Sequence, residues 1–387
     1  MLGTGCQVGK TPPKSQNWFM INIVTPHNRI QSAIGGLPLA ACLLALATLT
    51  STPLCAAVDS SSIAELRQRV AALHSRAEHQ GAVEAVAAQL AALAKLDNTE
   101  SGDTAELLLM LGDAQMKAGL PKLAFASNER AWKLRERLFG ANDARTLDAL
   151  TPYLEACALV GSVKNCDIQA GAAVVKYETL GDKNAPGLAA MLRTHALLAG
   201  YAGRNAQAIP LLDRAMTIWQ THGTQYEQNI LDARSSKAVL LLNLGQLRQA
   251  LAAVEEMLPR QRELLGERAP QVLSSLHLRA TVLSRMGYLD RALDAATETL
   301  RLRTAALSAE HQDTITARQL LGTIQLKIGR VSEAAATLAS TVQLLERVQG
   351  ADNADTIDAR RLHGVTLRYG DWWCNVRPSN TEPVLRL

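Results

Sequence analysis

Four side chains near the C-terminus carry the most concentrated chemistry: Arg377, Ser379, Asn380 and Thr381, in the run Arg-Pro-Ser-Asn-Thr-Glu-Pro. A guanidinium fork beside short hydroxyls in a turn suits a tetrahedral anion, because charged donors and backbone amides can converge on its oxygens. Elsewhere the reactive residue types are scattered. The stretch Gly3 to Thr11 imitates a phosphate-binding loop, but the G-x-x-x-x-G-K-[ST] spacing puts Thr4 where its first glycine is needed. His195, His277 and His363 stand in separate stretches at spacings that do not suit a metal. No G-x-S-x-G, H-E-x-x-H or paired C-x-x-C occurs. The sequence therefore predicts no catalytic site, no metal and no cofactor.

What positions these residues is a helical scaffold. Apolar residues make up 48% of the chain but aromatics only 4%, with Ala and Leu dominant, which favours helices packed at close range over sandwiches or barrels. Forty basic against thirty-six acidic residues leave a dispersed balance of +4. With no basic stripe, nucleic acid is not the expected partner. No run of eighteen strictly apolar residues occurs, so no membrane insertion is expected beyond a signal segment.

Six short strings share one register, and their glycines are Gly119, Gly161, Gly203, Gly245, Gly287 and Gly329, each 42 residues after the last. A glycine at fixed phase between helical patterns is what a tight helix–helix turn needs, since it takes positive φ without penalty. Other columns keep the same stride. Five residues after each glycine stand Ala124, Cys166, Ala208, Ala250, Ala292 and Ala334, all small. Seven before stand Gly112, Leu154, Ala196, Ala238, Ala280 and Gly322; thirteen after, every residue is apolar, from Trp132 to Val342. Small residues at a crossing with large apolar ones further out describe paired antiparallel helices stacked on their neighbours. Pro152, Pro210 and Pro259 fall inside these helices and predict local kinks.

This pattern resembles the tetratricopeptide repeat in its longer 42-residue form, found in kinesin light chains and bacterial relatives. The turn glycine, the small columns and endings such as LRERLFGAND and LLERVQGADN carry the resemblance. It implies an all-α fold, an α-solenoid of antiparallel helix hairpins wound into a right-handed superhelix. The expected array runs over 103–370, preceded by a helical N-terminal cap over 58–102. On the first helix of each pair, positions 13, 10, 6 and 2 before the glycine share one stripe, which is largely polar and changes from unit to unit. In the resembling family the corresponding stripe lines a concave groove that holds extended peptides. The resemblance thus implies that Arg193, Tyr201, Asn243, His277, Arg285, Gln319, Lys327 and Arg361 grip a protein or peptide partner; the alternative is a solvated face with no ligand.

The tail resembles the phosphate-binding loop of phosphomannomutases and phosphoglucomutases, in which the arginine, hydroxyls and amides hold a sugar phosphate. Arg377, Ser379, Asn380 and Thr381 match its R-x-S-N-T-E-P run. That family's aspartate-rich D-G-D-x-D loop and phosphoserine loop do not occur in this sequence. Residues 371–387 are therefore expected to be a mutase fragment joined to the array where Asp371 replaces a seventh turn glycine. Two readings stay open beside it: an isomerase, and a genuine cap in which Trp372 and Trp373 cover the last helix.

Residues 1–57 read as a leader. A polar stretch closing at Arg29, the apolar core Leu37 to Leu49 and small residues up to Ala57 follow the order of a secretory signal, and predict export to the periplasm or outside the cell. Met20 is the more natural start of that signal, leaving 1–19 upstream of it. A lipoprotein box at Leu39 to Cys42 and an anchor over Ile30 to Thr50 are the competing readings. Cys157 stands four before Gly161 and Cys166 five after it, on facing sides of one hairpin, so they are candidates for a disulfide in an oxidising compartment; two buried thiols are the alternative.

Overall fold

A glycine can reverse a chain between two helices only if its backbone adopts the left-handed region, which a β-carbon disfavours. The computed structural model of the protein describes residues 60–76, 78–95, 100–364, 368–369 and 372–373. It places all six turn glycines at positive φ, from 74° at Gly245 to 89° at Gly329. They join α3 (Gly102–Lys117) to α4 (Pro121–Phe139), α5 (Ala144–Val160) to α6 (Val163–Glu178), and α7 (Ala185–Tyr201) to α8 (Asn205–Thr221). They also join α9 (Glu227–Asn243) to α10 (Leu247–Leu265), α11 (Pro270–Met286) to α12 (Leu289–Leu307), and α13 (Gln312–Ile328) to α14 (Val331–Gln349). The helices α1 (Ser60–Ser75) and α2 (His79–Lys95) precede this series, and α15 (Ala354–Gly364) follows it. Two-residue strands, β1 (Arg368–Tyr369) and β2 (Trp372–Trp373), pair antiparallel after the last helix.

A second set of reversals connects one hairpin to the next. Gly140, Gly181, Gly223, Gly266 and Gly350 all have positive φ there, and Ser308 takes the same place at φ 85°. Several helices also carry their own start signals. Asp143 accepts the backbone N–H of Arg145 at 2.9 Å, Ser101 accepts that of Thr104 at 3.2 Å, and α4 and α11 open on prolines, whose missing donor costs nothing at that position. The helices α5, α8 and α10 each run as one element through Pro152, Pro210 and Pro259, so these prolines do not divide them.

Packing follows the repeat columns. Ala124, Ala208, Ala250, Ala292 and Ala334 are wholly buried, as are Ala238 and Ala280 on the facing helices. A β-carbon added to Gly322 would stand 2.8 Å from Leu338, closer than packed atoms approach, so the crossing admits nothing larger. The core is a string of overlapping clusters. The largest runs from Leu147 on α5 to Leu240 on α9 and contains Trp219 and Met191; the next runs from Leu231 on α9 to Ile324 on α13. Each cluster draws on neighbouring hairpins only, as expected of a stacked array.

The two layers of helices are spaced differently. First helices touch across hairpins, α5 with α7, α9 with α11 and α11 with α13. On the second helices, long Arg–Glu pairs bridge one hairpin to the next: Arg214 to Glu178 at 2.6 Å, Arg262 to Glu298 at 2.7 Å and Arg291 to Glu255 at 2.9 Å. Direct contact on one side and long side chains on the other make the first helices the inner layer.

Candidate partner-binding groove

Because first helices adjoin, side chains on their polar stripe reach from one repeat to the next. Arg193 on α7 donates to the Glu155 carboxylate on α5, and Thr194 Oγ1 donates to the same oxygen at 3.2 Å. Asp232 on α9 feels both charges. Its burial raises its pKa, Arg193 pulls it back down and Glu155 adds to the rise. The sequence thus brings an acid, a base and an acid together from three successive hairpins.

Further along the same face, Arg285 Nη1 donates to the Leu242 carbonyl at 3.3 Å, reaching from α11 back to α9. Lys327 Nζ does the same from α13, donating to Ser284 Oγ on α11 at 3.0 Å. Burial lowers the pKa of each, and the charge of Arg285 lowers that of Lys327 further. Tyr201 and Asn243 hold the equivalent place on α7 and α9 and are half-buried; burial raises the Tyr201 phenol. Gln319 is half-buried on α13, and Thr323 one turn on donates to its backbone carbonyl at 2.8 Å. Arg193, Arg285 and Lys327 each lean on the preceding repeat, and Tyr201, Asn243 and Gln319 stand half-buried along the same stripe.

His277 departs from this pattern. It belongs to the stripe by sequence, yet it is 7% exposed, among the buried Leu273, Leu276, Ala280 and Thr281. The guanidinium of Arg303 on α12 lies near enough to act with burial in pushing the imidazole well below its usual pKa. His277 is therefore a core residue rather than a surface contact in the groove. Asp148, at another stripe position, accepts a hydrogen bond from Tyr177 on α6. Burial raises the phenol's pKa most, and the Asp148 charge and the hydrogen bond to it raise it further.

Cys157 and Cys166 are bonded to each other across the α5–α6 turn, with Cα atoms 6.5 Å apart. His195 lies 3.5 Å from Asp167 and packs against Gly171. Among the described residues no group of three His, Cys, Asp or Glu side chains could hold a metal ion, and no helix is long and apolar enough to cross a membrane. The leader over 1–57, the tail residues Arg377, Ser379, Asn380 and Thr381, Cys374, and the side chains of Arg361 and His363 lie outside the described residues.

One column escaped the sequence reading. Sixteen residues after each turn glycine stand Arg135, Tyr177, Trp219, Gln261, Arg303 and Leu345, large residues that are buried or half-buried in every second helix. Trp219 and Gln261 are fully buried; Arg135 and Arg303 donate to the carbonyls of Arg145 and Asp313 at the next helix start. Their chemical variety hid them, since a search for shared polarity passes over a position that conserves only size.

Comparison with known proteins gives two family matches. Residues 272–313 match the tetratricopeptide repeat, and residues 326–387 match the C-terminal domain of phosphoglucomutase/phosphomannomutase. The second match begins in the last turns of α13 and takes in α14 and α15, where Gly329, Ala334 and Val342 keep the 42-residue register. No curated protein matches the sequence. Among solved structures, the chain is similar to the apo form of the quorum sensor NprR from B. thuringiensis, with 12% identity, 79% of this chain and 82% of that chain covered, and a TM-score of 0.53. It is similar to the Rap conjugation gene regulator of the plasmid pLS20 in complex with the Phr* peptide, with 13% identity, 79% and 94% covered, and a TM-score of 0.50. A Podosopora anserina putative kinesin light chain with nearly identical TPR-like repeats gives 17% identity over 54% of this chain and 99% of that one, with a TM-score of 0.47. Together with the repeat register, these comparisons make the fold an α-solenoid of tetratricopeptide type.

Proposed function

We propose that this tetratricopeptide-type solenoid is an exported scaffold that binds an extended protein or peptide segment along its first helices, without catalysis. The observation that carries the reading is the inner ladder, in which Arg193, Tyr201, Asn243, Arg285, Gln319 and Lys327 present polar groups in successive repeats. An extended backbone offers donors and acceptors at regular intervals, and such a ladder meets it with charge-assisted hydrogen bonds. The pLS20 regulator, a fold neighbour, is a complex with the Phr* peptide, which supports the same use of the fold here. The Cys157–Cys166 bond and the leader's order of charged, apolar and small residues support export. Screening the purified chain against an array of extended peptides tests binding. Arg193→Ala and Gln319→Ala should each weaken capture about tenfold, the loss of roughly 1.4 kcal/mol; capture by both variants undiminished from that of the parent chain would remove the groove from the account.

A second reading has its own observation, the match of 326–387 to the mutase C-terminal domain, which supports an isomerase acting on sugar phosphates through Arg377, Ser379, Asn380 and Thr381. Conversion of mannose 1-phosphate to mannose 6-phosphate by the purified chain separates the two: turnover supports the isomerase, and none is expected of the scaffold.

A further inference from the structure

The second helices show their outer face to solvent, and α6 is unlike the rest. Seven residues after the turn glycines stand Ala126, Ile168, Pro210, Ala252, Asp294 and Ala336; fourteen after stand Lys133, Val175, Thr217, Pro259, Arg301 and Gln343. Only α6 has branched aliphatics in both columns. Ile168 is 64% exposed and Val175 62%. The opposite face of α6 is already occupied, with Cys166, Ala170, Ala173 and Tyr177 buried against α5 and α7. Two large β-branched side chains left in water at helical spacing mark a contact surface.

The stripe also identifies what covers it. Read along α6 it runs Lys164, Ile168, Ala172, Val175 and Glu178, all exposed and spaced by four, four, three and three residues, so they share one face. The order is a cation, a branched aliphatic, a small residue, a branched aliphatic and an anion. Turned end for end about Ala172, that order complements itself: Ile168 meets Val175, and Lys164 stands beside Glu178. Arg214 on α8 holds the Glu178 carboxylate in place at 2.6 Å. Ala172 at the centre is small and exposed, and lets a second helix approach closely. A cleft of about 140 Å³ opens beside the stripe between Trp132, Leu150 and Ala172, with room for an incoming side chain.

We propose that α6 is the seam of a homodimer, in which two copies pack antiparallel about a two-fold axis at Ala172. A two-fold contact requires a patch whose positions exchange partners, and the charge order of this helix meets that requirement. Dimerisation through the outer layer leaves both inner ladders open, so one assembly presents two grooves, and it stands whether or not those grooves bind peptide.

The test is the sedimentation of the full chain at micromolar concentration. The wild-type protein is expected to be a dimer. Ile168→Glu and Val175→Lys each place a charge in the seam and should weaken association roughly 100-fold, giving monomers, while Leu123→Glu, at another exposed apolar position on α4, should leave the dimer intact. An equimolar mixture of Ile168→Glu with Val175→Lys should recover dimers, because the antiparallel register sets the new glutamate against the new lysine at one contact and leaves Ile168 against Val175 at the other. A monomeric wild-type chain overturns the proposal, as do single variants that remain dimeric or a mixture that stays monomeric.

Discussion

Arg193 and Glu155 face each other across two first helices, and the carboxylate of Asp232 comes within reach of the same guanidinium from the third. One cation thus serves two half-buried acids. Removing one partner of such a cluster leaves the others desolvated and unpaired, which costs more than the pair contributes while intact. Arg193→Ala should therefore raise the pKa of Asp232 above its already elevated value, since burial and the Glu155 charge remain while the opposing charge is gone. A carboxyl ¹³C titration by NMR reads this directly; an unchanged Asp232 would show that the guanidinium does not act on it.

Ser308 ends α12 at φ 85° and ψ 164°, a region in which glycine is at home and other residues are strained by about 1–3 kcal/mol. The corresponding helix ends are Gly140, Gly266 and Gly350, at φ 82° to 88°. Its side chain is exposed, so little packing is lost on removing it. Ser308→Gly relieves the strain at an unfolded-state entropy cost of about 0.5–1 kcal/mol, leaving a net gain of about 1 kcal/mol. Chemical denaturation should show a higher midpoint for this variant than for the parent.

Gly112 lies beneath Asn128, and a β-carbon placed on it would stand 2.6 Å from Asn128 Cγ. Asn128 is fully buried, and its amide donates to the Pro152 carbonyl at 3.1 Å, tying α4 to α5, so it cannot swing aside freely. Gly112→Ala should destabilise the chain by about 1–3 kcal/mol through overpacking. Asn128→Ala in that background should cost less than it does alone, because it then also relieves the crowding; equal costs in a double-mutant cycle would place the two residues out of contact.

The bond between Cys157 and Cys166 closes a short loop, with nine residues' separation. Chain-entropy reasoning gives such a cross-link about 2–3 kcal/mol. It also spans the one hairpin in which Leu154 stands at a crossing position held elsewhere by alanine or glycine. Reduction, or the Cys157→Ala/Cys166→Ala double variant, should lower the unfolding midpoint, with amides of α5 and α6 losing hydrogen-exchange protection first. Identical midpoints with and without reductant would leave the bond without a stabilising role.

How far the sequence carried the fold depended on what each position repeats. The turn glycines repeat an identity and the alanines beside them repeat a size, so Gly119 to Gly329 and Ala124 to Ala334 predicted the hairpins and their crossings directly. The second reversal repeats only a backbone angle. Its step varies between 41 and 43 residues, as from Gly140 to Gly181 and from Gly223 to Gly266, and a serine enters at 308, so no single register exposes it. The groove stripe was readable as a face, because helical spacing fixes direction. Which of its members stay at the surface was not, since that depends on the neighbouring helix. Arg303 of α12, distant in sequence from the stripe, is what accompanies His277 into the core.

That burial makes His277 a source of acid sensitivity. Its folded pKa lies well below the ordinary imidazole value of 6.5, chiefly from desolvation and further from the charge of Arg303. An unfolded chain exposes the ring to water and restores its ordinary affinity for protons. Above pH 6.5 both states are neutral at this residue, and it contributes no pH dependence. Below pH 6.5 the unfolded state takes up a proton that the folded state refuses, so stability falls as the solution is acidified. The fall approaches about 1.4 kcal/mol for each pH unit and continues until the folded imidazole itself titrates. His277→Gln removes the proton and keeps a polar side chain of similar reach. Denaturation midpoints measured at about pH 7.5 and about pH 5, a window in which an unperturbed imidazole changes charge, should therefore drop less for this variant than for the parent. His74 and His195, also lowered by burial, act in the same direction but are common to both chains and cancel in the comparison. Equal drops in the two proteins would mean that His277 holds its proton as readily folded as unfolded, and so does not lie in the core.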